Sequence, residues 1–290
     1  MAATSNYLTV EGRELHYMEW GAARPETVIA WHGLARTGRD MDEVAAHLSP
    51  RYRVICPDTI GRGLSQWSPQ PEKEYCLAFY GRLAVGLMDA LGVRTAHWLG
   101  TSMGGALGIH LAAGALKGRI RRLVLNDIGP KLGEAAVERI RTYAGSPAQF
   151  ERVSELEQYF RTIYKPFGWL SDMQWRRLTE SSTRRTTEGK VTPHYDPKMV
   201  LQFTHHPNDY DLWTAWDAID VPTLCLRGEN SDLLLPDVAQ EMRRRGPRAE
   251  VVIIAGCGHA PALNVPEQLR LIERFLGGDA TTPALRATPP

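Results

Sequence analysis

The 290-residue chain carries 34 basic and 33 acidic residues, for a formal net charge of +1 at pH 7, and 43% of its residues are hydrophobic. This composition is typical of a globular protein, and it lacks the excess positive charge that attracts nucleic acid or an anionic membrane surface. The length suits one α/β domain with an inserted lid as well as it suits two domains.

No apolar stretch approaches the roughly 20 residues of a membrane-spanning helix, and the N-terminal residues lack the basic and apolar regions of a secretory signal. We therefore expect a cytoplasmic protein that binds neither membranes nor nucleic acid. The cysteines lack C-x-x-C spacing, which indicates reduced and mostly structural thiols. They are Cys56, Cys76, Cys225 and Cys257.

The first half of the chain alternates predicted strands with predicted helices. Residues 6–20 alternate polar and apolar side chains around Glu11-Gly12, which is typical of a β-hairpin. Continuous apolar runs then predict buried strands, and helical periodicity predicts helices between them. The strands cover 27–31, 53–58, 96–99 and 122–127, and the helices cover about 38–48, 75–91 and 103–113. This order predicts a mostly parallel, doubly wound sheet of the α/β class.

The alternation stops after Pro130. Residues from about 131 to 212 are helical in pattern and rich in aromatic residues, and the sheet pattern resumes at Val221. Such an interruption between two strands predicts an inserted helical lid on the side where the strands end. The later strands are predicted at 221–228 and 250–254, and the later helices near 236–245 and 266–276. We predict a core of residues 1–130 and 213–276, a lid of 131–212 and a flexible tail of 277–290.

Gly100-Thr101-Ser102-Met103-Gly104 lies between a predicted strand and a predicted helix. A sharp strand-to-helix turn with glycines on both sides holds its serine in a strained conformation, with the hydroxyl exposed at the sheet edge. The N-terminus of the following helix directs N–H groups and a positive dipole end to the same place, where a negative oxygen would be stabilised. The pattern predicts that Ser102 is a nucleophile.

Two further candidates follow later strands. Asp232 comes after the strand at 223–227, and His259 comes after the strand at 251–254. A serine hydroxyl needs a base to take its proton, and a carboxylate fixes the tautomer of that imidazole and stabilises its charged form. The order Ser102, Asp232, His259 therefore predicts an acyl-transfer triad. Asp127, one strand earlier, is the alternative acid.

The chain resembles enzymes of the α/β-hydrolase fold that carry a helical cap, over nearly all of residues 6–276. The matching motifs are His32-Gly33, Asp58-x-x-Gly61-x-Gly63-x-Ser65, the Ser102 pentapeptide, the Asp232 loop and Gly258-His259. The resemblance implies an eight-stranded sheet, and it implies an oxyanion hole formed by the backbone N–H groups of Leu34 and Met103. The Asp58–Ser65 loop supports the fold alone.

Two departures narrow the expected chemistry. Relatives that open epoxides or remove halides use an aspartate nucleophile, and position 102 is serine. The proline of the family's His-Gly-x-Pro variant is replaced by Ala35, which also points away from epoxide hydrolysis.

Other candidate residues are assigned more ordinary roles. Cys257 lies on the loop of the predicted base and is interpreted as structural. His205-His206, with Asp209 nearby, is not assigned as a metal site, because adjacent histidines project in different directions. Of the aromatic residues in and beside the predicted lid, Trp169 and Trp213 are expected to line a substrate pocket.

The sequence predicts a serine hydrolase that cleaves a small to medium, largely apolar carboxylic ester without a metal or organic cofactor. The alternatives are a C–C bond hydrolase of ring-cleavage diketones, which shares a Ser-Met-Gly-Gly sequence like 102–105, a lactonase or a thioesterase. A ligand receptor on a hydrolase scaffold is the non-enzymatic alternative.

Overall fold

The computed structural model describes residues 3–278. The strands are β1 (Thr4–Val10), β2 (Arg13–Trp20), β3 (Thr27–Trp31), β4 (Arg53–Pro57), β5 (Ala96–Thr101), β6 (Ile120–Asn126), β7 (Thr183–Arg185), β8 (Val191–Pro193), β9 (Thr223–Gly228) and β10 (Glu250–Ile254). The helices are α1 (Asp42–Leu48), α2 (Pro71–Glu74), α3 (Leu77–Ala90), α4 (Met103–Ala113), α5 (Glu134–Gly145), α6 (Val153–Ile163), α7 (Asp172–Ser181), α8 (Gln202–His205), α9 (Trp213–Asp217), α10 (Pro236–Met242) and α11 (Pro266–Gly277). Short 3-10 helices cover Gly38–Met41, Lys165–Phe167 and Pro197–Leu201.

Eight strands form one sheet in the order β1-β2-β4-β3-β5-β6-β9-β10. The hairpin β1–β2 is antiparallel, and β2 pairs antiparallel with β4. From β4 to β10 every neighbouring pair is parallel. The predicted eight-stranded, mostly parallel α/β sheet is confirmed.

Apolar clusters cover both faces of the sheet, which is why its central strands are mostly apolar. In β3, Ile29 and Trp31 belong to the cluster on one face, whereas Val28 and Ala30 belong to the cluster on the other. In β5, Trp98 and Leu99 divide in the same way. Successive side chains of a strand point to opposite faces, so such a strand is apolar at most positions, with buried exceptions such as His97 and Arg227.

The segment between β6 and β9 contains both helices and strands. The predicted helices are present, but β7 and β8 also form an antiparallel pair that the sequence analysis did not predict. Thr183–Arg185 is polar and only partly buried, so it lacks the apolar run by which a strand is recognised. The division into core and lid stays a prediction. The predicted tail begins at residue 277, and its part from residue 279 lies outside the described residues.

The loop after β4 is built around the buried carboxylate of Asp58. Its Oδ1 accepts a hydrogen bond from the Gly38 amide, and its Oδ2 accepts from the Leu64 amide and the His16 ring. A Cβ on Gly63, whose φ is +52°, would lie 2.2 Å from Asp58 Oδ2. The Asp-Gly-Gly motif is therefore a turn that fixes the end of β4 next to the loop after β3.

Within residues 3–278, no helix combines the length and the apolar character that crossing a bilayer requires.

Candidate active site

Ser102 lies at the sharp turn from β5 into α4, with φ 51° and ψ −119°. Strand and helix approach so closely here that a Cβ on Gly100 would lie 2.2 Å from the Gly104 carbonyl oxygen. A Cβ on Gly104 would lie 2.4 Å from the carbonyl oxygen of Trp31 in β3. Glycine is required on both sides of the serine for this reason, and the strained conformation that the motif predicts is present.

The side chains of Ser102, His259 and Asp127 form one hydrogen-bonded chain. The distance between Ser102 Oγ and His259 Nε2 is 2.9 Å, and that between His259 Nδ1 and Asp127 Oδ2 is 2.8 Å. His259 follows β10, and Asp127 follows β6 with a positive φ of 54°. Because β5, β6, β9 and β10 are parallel, the loops that follow them meet at one edge of the sheet.

Asp127 is fully buried, and all its side-chain partners are donors. Its Oδ1 accepts from the Gly228 amide at 2.7 Å, and its Oδ2 accepts from the Ser231 hydroxyl at 2.5 Å as well as from His259. These donors compensate for burial of a carboxylate and fix it against Nδ1 of the ring. The remaining nitrogen, Nε2, therefore faces the serine hydroxyl as an acceptor when the ring is neutral.

The structure contradicts the expected position of Asp232. Its carboxylate binds both terminal nitrogens of Arg139 on α5 and makes no hydrogen bond to His259. Burial raises the pKa of Asp232, but the hydrogen bond from Arg139 and the positive charge of that guanidinium together lower it below its ordinary value. Asp127, the alternative acid, occupies the place that the sequence analysis gave to Asp232, because the β6 loop and not the β9 loop reaches Nδ1.

Leu34 follows Gly33 in the loop after β3, and Met103 follows Ser102 at the start of α4. A Cβ on Gly33 would lie 3.6 Å from Ser102 Cβ, so the backbone at Gly33 is close to the serine. Met103 begins α4, and the first-turn amide of a helix has no partner within that helix. Within residues 3–278 the Leu34 amide has no hydrogen-bond acceptor. That these two amides bind an oxyanion stays a prediction.

Sequence reasoning missed Arg62, a fully buried cation that contacts both of these residues. Its Nε donates to the Leu34 carbonyl at 2.9 Å, and its Nη2 lies 3.7 Å from the Met103 sulfur. Its Nη1 donates to Tyr80 and to the Ile60 carbonyl, and among the described residues no carboxylate pairs with it. The hydrogen bonds of Arg62 therefore link the loop after β3 to the loop after β4. A charged residue between two glycines is typical of an exposed loop, so the sequence did not predict that Arg62 is buried.

A cavity of about 1110 Å³ opens above Ser102 and His259. Its floor comes from the loops at the sheet edge, and its other walls come from the segment between β6 and β9. The apolar lining residues from that segment are Ile140, Tyr143, Ile163, Tyr164, Pro166, Phe167, Leu170 and Leu178. Apolar walls around a few polar groups are typical of a small-molecule site.

The two tryptophans expected in this pocket do not line it. Trp169 is 62% exposed, and its carbonyl accepts a hydrogen bond from Asn264. Trp213 packs against the core cluster, and the Arg245 guanidinium lies over its ring, 4.4 Å from the ring centroid. The expectation was wrong for both residues, since Phe167 and Leu170 line the cavity in place of Trp169, and Trp213 packs against the core cluster.

The polar residues that resembled other kinds of site have structural partners. Burial raises the pKa of the Cys257 thiol to about 11, so it is not a thiolate at neutral pH. His206 Nε2 contacts the Glu72 carbonyl, and Asp209 accepts a hydrogen bond from the Leu77 amide at the start of α3. Among the described residues no group of three or more His, Cys, Asp or Glu side chains could hold a metal ion.

The family profile described as the alpha/beta hydrolase fold matches residues 26–264 of the chain. The chain therefore belongs to the α/β-hydrolase family and is a hydrolase. This agrees with the sheet order, the strained serine and the hydrogen-bonded side chains described above.

Named relatives narrow the comparison. The chain is 40% identical over 272 residues to the 3-hydroxybutyrate-oligomer hydrolase of Cupriavidus necator, covering 90% of this chain and 92% of that protein. It is 26% identical over 231 residues to the 2-hydroxymuconate semialdehyde hydrolase of Pseudomonas putida, covering 79% and 78% respectively. The solved structure of an alpha/beta hydrolase from Novosphingobium aromaticivorans is 32% identical, with a TM-score of 0.84 and coverage of 96% of this chain and 99% of that one.

Proposed function

We propose that the protein is a serine esterase that hydrolyses short oligoesters of hydroxy acids. The observation that carries the proposal is the hydrogen-bonded chain from Ser102 Oγ through His259 to Asp127, at 2.9 and 2.8 Å. An alcohol, an imidazole and a buried carboxylate in this order are the groups that acyl transfer needs.

In the first half of the reaction His259 Nε2 takes the proton of Ser102 as Oγ attacks the ester carbonyl carbon. The Leu34 and Met103 amides donate hydrogen bonds to the negative oxygen of the tetrahedral intermediate. His259 then gives the proton to the departing alkoxide oxygen, the carbonyl carbon–oxygen bond breaks, and an acyl-Ser102 remains. Asp127 stabilises the imidazolium through both transfers.

In the second half a water molecule replaces the alcohol. His259 takes a proton from the water, the hydroxide oxygen attacks the acyl carbon, and the proton returns to Ser102 Oγ as the bond to the acyl group breaks. One ester and one water give one acid and one alcohol, and no redox change occurs.

The substrate class is supported by the Cupriavidus necator relative, whose name specifies 3-hydroxybutyrate oligomers, and by its 40% identity over 90% of this chain. The cavity of about 1110 Å³ has room for more than one unit of such an oligomer, and its apolar walls suit the methyl-bearing chain.

The test compares the dimer and trimer of 3-hydroxybutyrate with p-nitrophenyl esters of increasing acyl length. We expect turnover of both classes, with Ser102→Ala and His259→Ala each losing it while keeping the thermal unfolding midpoint of the parent within a few degrees. A fluorophosphonate should label the parent at Ser102 and leave Ser102→Ala unlabelled. Retention of most activity in either variant would refute the proposal.

A C–C bond hydrolase is the second candidate, because the Pseudomonas putida relative carries the name of a semialdehyde hydrolase. The same serine and histidine would serve that chemistry. A ring-cleavage diketone assayed beside the hydroxybutyrate dimer separates the two, and a preference of kcat/KM for the diketone would favour the second.

A further inference from the structure

The wall of the cavity contains five cationic side chains, and four of them are neutralised by carboxylates of the same wall. Each of these pairs joins an arginine to an aspartate or a glutamate, and they leave little positive charge for a bound anion. The pairs are Arg36–Asp40, Arg39–Asp42, Arg139–Asp232 and Arg177–Glu43. Within residues 3–278 the fifth cation, Lys165, has no carboxylate partner.

Lys165 begins a short 3-10 helix that is attached to the loop of His259. The Gly258 amide donates to the Pro166 carbonyl at 2.7 Å, and the Ala262 amide donates to the Phe167 carbonyl at 3.1 Å. Two backbone hydrogen bonds on either side of His259 therefore fix the main chain next to Lys165 relative to the imidazole. The unpaired ammonium group stands on a segment whose position is coupled to the catalytic loop.

The proposed reaction places the carboxylate of the leaving hydroxy acid near the loop of His259. His259 gives its proton to the departing oxygen, so the leaving alcohol lies on the histidine side of the scissile bond. When the leaving alcohol is a 3-hydroxy acid, a carboxylate stands two carbons from that oxygen. A carboxylate in the cavity is stabilised by a cation or by several donors, and Lys165, which is exposed, is the wall cation that has no carboxylate partner within residues 3–278.

We propose that Lys165 binds the free carboxylate of the leaving hydroxy acid. This inference rests on the proposed function. Binding of the carboxylate by Lys165 would direct cleavage to the ester next to the carboxyl end of the oligomer, so that each turnover releases one hydroxy acid. The acyl part, which carries no charge, then occupies the apolar side of the cavity.

The test uses two substrates that differ only in this charge, the 3-hydroxybutyrate dimer and its methyl ester, with cleavage of the internal ester followed by chromatography. In Lys165→Met we expect kcat/KM for the free acid to fall by roughly tenfold, mainly through KM, while kcat/KM for the methyl ester stays within about twofold. Lys165→Arg should recover most of the loss. The matched control is Lys198→Met, which removes an exposed lysine of the same segment that does not line the cavity.

A trimer carrying ¹³C in its carboxyl-terminal unit tests the direction of cleavage. The first monomer released by the parent should carry the label, and Lys165→Met should release labelled and unlabelled monomer more evenly. Equal losses on the free acid and the methyl ester, or an unlabelled first monomer, would overturn the role of Lys165 while leaving the esterase intact. If the parent hydrolyses neither dimer, the proposed function fails and this inference fails with it.

Discussion

Asp127 and Asp232 stand on neighbouring loops at the same edge of the sheet, and their surroundings give the two carboxylates different chemistry. Asp127 is fully buried, and its oxygens receive an amide, a hydroxyl and the His259 ring. The carboxylate of Asp232 is 49% exposed and already paired with Arg139. A buried carboxylate without a competing cation stabilises an imidazolium far better than an exposed one that a guanidinium has neutralised.

Replacing each aspartate by asparagine tests this difference. We expect Asp127→Asn to lower kcat by about 10³- to 10⁴-fold, since the amide no longer holds the tautomer or the charge of His259. Asp232→Asn should lower kcat by less than about tenfold, because it breaks only a half-exposed ion pair. Steady-state kinetics on one p-nitrophenyl ester measures both, with circular dichroism as the control for folding. A greater loss in Asp232→Asn would restore that residue as the acid.

His32, at the start of the loop that carries Leu34, is a buried residue whose hydrogen bonds require a neutral ring. Nε2 accepts from the Thr59 amide at 2.9 Å, so the proton stands on Nδ1, which donates to the Gly33 carbonyl at 2.6 Å. Burial lowers the pKa of His32 from 6.5 to about 4. Above pH 6.5 the ring is neutral in both the folded and the unfolded chain, so the full stability of the fold is present. As the pH falls from 6.5 toward 4, only the unfolded chain binds the proton, and the free energy of unfolding decreases.

We expect protonation of His32 in the unfolded chain to lower the free energy of unfolding by about 3 kcal/mol between pH 7 and pH 4. Urea unfolding across this range measures it, and His32→Gln supplies a side chain that does not titrate. The variant should be less stable at pH 7 but should lose less stability on acidification than the parent. Parallel pH profiles for the two proteins would contradict the assignment.

At the scale of elements, the contact between β3, β5 and α4 depends on glycine. α4 begins so close to β3 that a Cβ on Gly104 would lie 2.4 Å from the carbonyl oxygen of Trp31 and 2.8 Å from that of His32. Gly81 in α3 is different, because a Cβ there would meet its nearest atom, in the Leu111 side chain, at an ordinary 3.5 Å.

Alanine at these two positions should therefore have opposite effects. Gly104→Ala should cost about 1–3 kcal/mol or more of the free energy of unfolding, because helix and strand must separate. Gly81→Ala should be neutral or stabilising by up to about 1 kcal/mol, since alanine is the better helix former. Chemical denaturation compares them directly. A tolerated alanine at position 104 would mean that the close approach at the serine turn does not require glycine.

The features that could be predicted from the sequence are those in which burial or steric limits restrict the residue type at each position. A parallel strand that is buried on both faces is apolar at most positions, so Thr27–Trp31 and Thr223–Gly228 could be predicted, and the strained turn at Ser102 needs its glycines. The pair β7–β8 could not be predicted, because its stability comes from neighbours and not from its own polar residues.

The choice between two acids depended on side-chain direction, which sequence order does not contain. Asp127 and Asp232 both follow strands of the sheet, and only the three-dimensional path of the two loops shows that Asp127 reaches the imidazole. The same reason explains the error at Trp169, which points outward while its neighbour Leu170 lines the cavity. Patterns along the chain located the loops, and packing decided which side chains meet.

At the scale of the whole molecule, the described residues contain three apolar clusters. One lies on one face of the sheet, another lies on the opposite face and also includes Ala136, Ile140 and Met199 of the segment between β6 and β9, and the third lies wholly within that segment. The buried members of this third cluster are Leu156, Phe160, Tyr164, Trp175 and Val191. Arg36 joins the third cluster to the sheet loops, with its guanidinium 4.7 Å from the Tyr164 ring centroid. A separate cluster allows one part of a protein to open without the rest.

Trp175 tests whether the third cluster is an independent unit of stability. Trp175→Ala removes a side chain that is 6% exposed, which should cost about 3–5 kcal/mol within that cluster. We expect amide hydrogen exchange to accelerate strongly in α6 and α7 and to change little in β3, β5 and β6. Trp98→Ala, which empties a fully buried site in the sheet, is the control and should accelerate exchange in those strands. Uniform acceleration in Trp175→Ala would show that the cluster and the sheet unfold together, in which case the walls of the cavity could not open over Ser102 while the sheet stays folded.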